Sequence, residues 1–280
     1  MLIRILRIAL WWACLLLQPL SANAQTDTAT AEELMRRSGM WEQLVGIAPQ
    51  VRAGLFAGMS QTGARPSASE SERLGRAVDN AYSASKLRRT AMKTIRQGLD
   101  VAYVPELRRW YATPAGKSAT AMEEASSSDK RDPKVVLAEG AKLLNDMPAA
   151  RRDLITELVK VTRSAESMVQ MTINVTLATQ RGASSVAPNL PRPSQAELRK
   201  LLDAQRPQLL QAYTGMALAS SAKTYETLST AMLAQYVEFL KSDAGRHFSE
   251  VGIQAIEAAM VEASTELGRR LPASKDQANT

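Results

Sequence analysis

The chain has 280 residues, 45% hydrophobic and 22% charged, and 35 Lys and Arg against 28 Asp and Glu give a formal charge of +7. That apolar content is too high for a disordered chain, and the mild basic excess singles out no polyanion. Cys14 is the one cysteine and His247 the one histidine, so a His/Cys metal site, a Cys-His pair and an internal disulfide are excluded within one chain.

Met1 to Ala24 reads as a secretory signal: Arg4 and Arg7, an apolar run from Ile8 to Leu17, then the small-x-small site Ala22-Asn23-Ala24. The run is too short to cross a bilayer, which needs roughly 20 apolar residues. Cleavage after Ala24 leaves 280 − 24 = 256 residues and, without the two arginines, a charge of +5. The expected location is the periplasm. A cysteine-free mature chain has to rest on its hydrophobic core.

Thr30-Ala-Glu-Glu33 has the form of a capping box opening the first helix, with interruptions at Gly39 and Pro49. Gln61 to Ser69 is a polar linker. Ser69–Ser83 and Ser85–Gln97 read as helices. The second carries Lys86, Arg88, Arg89, Lys93 and Arg96, a solvated basic face by default, or a weak contact with an anionic surface. The lack of stacking aromatics beside these cations in an exported chain argues against nucleic acid as a partner. Asp100 is placed to cap the helix that follows.

That helix leads into Leu107-Arg-Arg-Trp-Tyr-Ala-Thr-Pro-Ala-Gly-Lys117, which recurs as Tyr236-Val-Glu-Phe-Leu-Lys-Ser-Asp-Ala-Gly-Arg246 at a constant offset of 246 − 117 = 129. Trp110 matches Phe239, Tyr111 matches Leu240, Thr113 matches Ser242, Pro114 matches Asp243 and Gly116 matches Gly245. Apolar spacings of three and four before each turn are helical. Thr113 and Ser242 suit N-caps, and Pro114 and Asp243 suit the first helical position. Each copy is therefore a helix, a one-residue corner and a second helix. A glycine two residues further on costs roughly 0.5–1 kcal/mol against alanine inside a helix, so its presence in both copies implies close approach of a neighbouring helix. Lys117 and Arg246 oppose the helix dipole. Either they are solvated, with Asp243 or Glu250 offsetting Arg246, or they hold an anion.

Ala125 to Pro133 breaks the chain, and Lys134–Asn145 is a helix. Beyond it, Leu158-Val159 and Met168 echo Leu34-Met35 and Leu44 at an offset of 124, and Ser194 to Glu197 echoes Ser67 to Glu70 at 127. The organisation is then a signal at 1–24, a first helical repeat at 25–128, a connector with a short helix at 129–146, a second helical repeat at 147–271 and a disordered tail at 272–280. Met171 to Leu177 alternates like a strand, but its first-half counterpart contains Pro49, so the repeat favours helix. Arg181 to Pro193 reads as a loop, Ser194–Ser221 as a helix bent near Pro207, and the last helix runs to about Arg270.

The motif Trp110-Tyr111-Ala-Thr113-Pro114-Ala-Gly116-Lys117, behind a signal peptide and an amphipathic helix, resembles the exported proteobacterial family known as domain of unknown function two-zero-five-nine. The likeness spans chiefly Leu87 to Ser127, and the second copy departs from it at Asp243. It implies an all-helical exported protein and no catalytic residues.

Chemistry is not declared by any local pattern. His247 lacks a nucleophile elbow, Gly116-Lys117-Ser118 lacks the rest of a phosphate loop, and Met168-x-x-Met171 is better explained as core than as a copper(I) site. The reading is an all-α bundle of two related halves without catalytic residues or cofactor. It would bind or scaffold an envelope protein or other envelope component at a groove between the halves, with Lys117 and Arg246 as candidate anion ligands. The rival is a carboxylate-dependent cell-wall hydrolase, which needs two Asp/Glu side chains facing across a cleft.

Overall fold

A computed structural model describes residues 26–61, 63, 65–189 and 191–271. The signal-like stretch with its cleavage site and Cys14, and the tail at 272–280, lie outside the described residues.

The first helix, α1 (Thr28–Arg37), starts earlier than the Thr30 capping box implies: Asp27 caps it and accepts from the Thr30 amide at 2.8 Å. The Thr30 hydroxyl is itself spent on Asp27, which is why it caps nothing. Gly39, at φ 74°, turns the chain into the short α2 (Met40–Gln43). Pro49 falls in the first turn of α3 (Ile47–Gln61) rather than breaking a helix, because the amide it lacks has no partner there anyway. Ser67 and Glu70 form a full capping box on α4 (Ala68–Ala81), and α5 (Ala84–Gly98) follows. Asp100 caps a 3-10 turn, Val101–Tyr103, not the helix beyond it. That helix is α6 (Val104–Ala112). Thr113 is the corner, and α7 (Pro114–Ser127) leaves it.

In the second half, α8 (Pro133–Asp146), α9 (Ala149–Val161) and α10 (Ser164–Val186) come in succession. The strand-like stretch at Met171 to Leu177 lies inside α10, with Ile173 and Leu177 buried on one face. The loop expected from Arg181 begins only at Ala187, since α10 carries its helical face six residues further (187 − 181 = 6). Ser194 and Glu197 repeat the capping box on α11 (Gln195–Ala204). The expected bend at Pro207 is instead a new helix, α12 (Arg206–Thr224), with the proline in its first turn. Ser229 caps α13 (Thr230–Lys241), Ser242 is the second corner, and α14 (Asp243–Arg270) closes the chain. The protein is all-α, with no strand among the described residues.

The helix pairings of the two halves answer one another. α1 packs on α5 and α6, as α9 packs on α12 and α13; α3 packs on α4, as α10 packs on α11. The halves also cross over: α6 rests on α14 and α13 on α7. At 28 residues, α14 is as long as α7 and α8 together, each of 14. α14 packs along α5, and α8 packs along α12. A single core runs from Ala31 to Leu267 and mixes both halves. A satellite of Val169, Ile173 and Leu177 holds α11 and α12 onto α10.

Small residues set the closest crossings. A Cβ on Gly182 would lie 2.0 Å from the Thr265 carbonyl oxygen, and one on Gly268 2.0 Å from that of Thr179, so α10 and α14 touch backbone to backbone. One buried polar link spans the core: the Ser264 hydroxyl donates to the Met260 carbonyl at 2.6 Å, which leaves its oxygen to accept from Tyr82 at 2.7 Å. Gly215 in α12 is the opposite case, with open space where its Cβ would stand. Gly215→Ala is expected to raise stability by about 0.5–1 kcal/mol by removing backbone freedom from the unfolded chain, read from denaturant unfolding.

The basic face of α5 is not simply solvated. Lys86 pairs with Glu266 at 2.7 Å. Arg88 donates to the Trp41 carbonyl at 2.8 and 2.9 Å and lies 4.4 Å over its ring. Arg96 is half-buried, its Nε enclosed without an acceptor among the described residues. Packing against α14 and α2 has claimed these cations, leaving Arg89 and Lys93 exposed. Among the described residues no helix is long and apolar enough to cross a membrane.

Candidate functional site

The two corners have the same internal geometry. Thr113 Oγ1 accepts from the Gly116 amide at 3.0 Å, and Ser242 Oγ from the Gly245 amide at 3.1 Å. A Cβ on Gly116 would stand 2.4 Å from the Trp110 carbonyl oxygen; on Gly245, 1.9 Å from that of Phe239. In both copies the obstacle is the carbonyl six residues upstream. Glycine is therefore required by the helix the chain has just left, folded back over the corner, and not by a separate neighbouring helix as the sequence implied.

The corners also face each other. The Trp110 ring stacks on Phe239 with centroids 4.4 Å apart and planes 6° from parallel, and lies 5.8 Å from Tyr236. Tyr111 meets Phe239 and Phe248 edge-on at 6.2 and 6.1 Å. Such pairs contribute roughly 0.5–1.5 kcal/mol each beyond burial. The repeated aromatic positions are thus each other's packing partners. Pro114 and Asp243 occupy the first helical position as expected.

Between the corners lies a cavity of about 180 Å³, whose wall includes Tyr111, Glu123, Tyr236, Phe239, Phe248 and Gly252. Glu123 is the only carboxylate in it, and no Lys, Arg or His among the described residues lines it. Both Tyr225 and Tyr236 donate to Glu123 Oε1, at 2.6 and 2.7 Å. Oε2 receives no donor among the described residues, and the Tyr111 hydroxyl makes no hydrogen bond among them. Tyr225 is itself fixed by Arg151 of α9, whose Nη2 donates to its carbonyl at 2.6 Å.

Glu123 keeps some accessible surface because it lines the cavity, yet it is crowded enough by protein to lose most of its hydration. Burial pushes the Glu123 carboxyl above the usual carboxylate range, against the lowering pull of the two phenols. Burial likewise raises the phenols of Tyr111, Tyr225 and Tyr236, and the nearby Glu123 charge adds to it. All three stay neutral, and Tyr225 and Tyr236 keep their hydrogens to donate.

The two corners differ at this site. Applying the offset of 129, Glu123 matches Gly252 (252 − 123 = 129), and a Cβ there would meet the flexible end of Met40 at 3.1 Å. One half supplies a carboxylate where the other has no side chain. The sequence carried a signal for it: Ala115 and Ala119 are the buried face of α7, and Glu123 is the next position at spacing four, a carboxylate on an apolar stripe. Tyr225 had no such signal, since it lies in the turn after α12.

Lys117 and Arg246 lie elsewhere. Both are exposed, and neither lines the cavity. Arg246 pairs with the exposed Asp243, while Lys117 makes no ion pair among the described residues. Replacing both with alanine is expected to move the melting temperature by no more than about 2 °C, as for ordinary surface positions, and to leave cavity binding unchanged. His247 is a packing residue: its Nε2 accepts from the Asp100 amide at 3.0 Å, and its ring lies 5.0 Å from Tyr103.

A more open groove of about 380 Å³ runs between α10, α11 and α14, lined by Asn174, Arg181, Arg199 and Glu257 among others. Its charges are already spent or solvated, since Asn174 donates to Glu257 and both arginines are exposed. Neither cavity brings two carboxylates together, and no cluster of three His, Cys, Asp or Glu suited to a metal occurs among the described residues. Compared with models of known protein families, with curated proteins and with solved structures, the chain matches none.

Proposed function

We propose that this chain is an exported, non-catalytic binding protein of the bacterial envelope, and that its ligand site is the cavity between the two corners. Export and a periplasmic location rest on the signal-like residues 1–24, and kinship with the exported family of unknown function rests on the corner motif. Duplication of one helical unit accounts for the matched corners, capping boxes and pairings. The observation that carries the binding reading is Glu123: a half-buried carboxylate on a cavity wall, with one oxygen taken by two phenols and the other without a donor among the described residues. A carboxylate stripped of much of its hydration is ordinarily paired, so one with a free oxygen on a cavity wall marks a place for a partner. The hydrolase alternative finds no carboxylate pair at either cavity.

The experiment incubates purified protein with an envelope extract, washes it and identifies what is released on denaturation by mass spectrometry. The wild-type chain is expected to retain a small molecule. Ser249→Leu, which adds bulk to the cavity wall, is expected to lose it while melting like the wild type. Retention of nothing, or equal retention by both, overturns the reading.

A further inference from the structure

Resting on the cavity as the binding site, we propose that its ligand is a small organic cation, a protonated amine on a compact apolar body, held by Glu123 Oε2. The first argument is charge. The cavity contains one carboxylate and no cationic side chain among the described residues, so no side chain on its wall supplies the opposite charge and a cationic ligand would. An anion would meet Glu123 with nothing to offset the repulsion.

The second argument is the placement of donors. Tyr225 and Tyr236 both spend their hydrogens on Oε1. That arrangement holds the carboxylate in one orientation and leaves Oε2 as an acceptor of N–H bonds, which are short and strong when both partners are charged. The Tyr111 hydroxyl, without a hydrogen bond among the described residues, offers a further acceptor on the same wall. Around them Tyr111, Tyr236, Phe239 and Phe248 supply aromatic surface, which suits a cation as well as an apolar body.

The third argument is size. A cavity of roughly 150 Å³ holds benzene when its walls are apolar. At about 180 Å³, this one suits a ring of that size bearing one small polar group. The site occurs once in the fold because its matching position in the other half, Gly252, has no side chain to oppose Glu123.

The test titrates the purified chain with cyclohexylammonium, cyclohexanol and cyclohexanecarboxylate, three bodies of one shape and different charge, by calorimetry and by shifts of the tyrosine ring resonances. The ammonium is expected to bind at least tenfold more tightly than the alcohol, and the carboxylate not detectably. Glu123→Gln is expected to weaken the ammonium at least tenfold and to erase its preference over the alcohol. A measurement on the wild type needs no variant to fold: ammonium affinity falls as acidification protonates Glu123, whereas alcohol affinity does not. An alcohol that binds as well as the ammonium, an ammonium indifferent to Glu123→Gln and to pH, or no binding by any probe overturns the assignment. A neutral or anionic molecule retained from the extract also overturns it while leaving the binding function standing. Retention of nothing from the extract strikes the function itself.

Discussion

Alanine at Gly245 is expected to destabilise the protein by about 3 kcal/mol, near the upper end of what overpacking usually costs, which lowers the melting temperature by roughly 6–12 °C for a chain of this size. The added methyl carbon would stand 1.9 Å from the Phe239 carbonyl oxygen. That obstacle is backbone, inside the last turn of α13, and no rotamer change moves it. The chain has to open the Ser242 corner, which loosens the Ser242 cap on the Gly245 amide and the stack of Phe239 on Trp110. Gly116→Ala meets the same obstacle at 2.4 Å, so its effect has the same direction and a smaller size. Gly215→Ala, changed in a helix with open space around it, moves the other way. Thermal unfolding of the three variants side by side checks the ordering; a Gly245→Ala chain as stable as the wild type would refute the corner as described.

Glu123→Gln is expected to stabilise the ligand-free chain at neutral and alkaline pH and to have little effect in acid. Burial raises the folded-state value of Glu123 above its unfolded value. A group whose folded value is raised contributes stability that is fully present below the unfolded value and is lost as pH rises through the folded one. The wild-type chain therefore loses stability on leaving the acid range, by about 1.4 kcal/mol for each tenfold by which folding tightens the hold of Glu123 on its proton. Glutamine keeps an oxygen for Tyr225 and Tyr236 and has no charge to desolvate. Every 1 kcal/mol relieved appears as roughly 2–4 °C in melting temperature. The other ionisable groups around Glu123 do not reverse the sign: Tyr111, Tyr225 and Tyr236 are held neutral by burial, and Glu124 only opposes ionisation further. Melting curves across pH check it, and a variant that is destabilised equally at every pH would show that burial of the charge costs the fold nothing.

The paired capping boxes and the paired corners were legible because each is a local event. Ser67 with Glu70, Ser194 with Glu197, Thr113 with Gly116 and Ser242 with Gly245 all act across three residues. A cap satisfies an amide within one helical turn, so its signal sits in consecutive letters. Local reading failed where two local signals competed. Asp27 displaced the Thr30 cap, and the alternating pattern at Met171 to Leu177 imitates a strand when viewed over seven residues. Ile173 and Leu177 of that stretch share one helical face with Val169 before it, and the satellite core under α11 and α12 holds them there.

By itself, the sequence determined the all-helical class, the two corners and their spacing of 129, because helix periodicity, capping and glycine tolerance are properties of neighbouring residues. Tertiary structure decided that the corners stack on one another, that the α5 cations are claimed by Glu266 and Trp41, and that Glu123 meets Tyr225 and Tyr236 across separations of 102 and 113 residues. No short-range rule links groups that far apart along the chain. They meet because α6 and α7 cross α13 and α14, and that crossing follows from burying both apolar faces in one shared core.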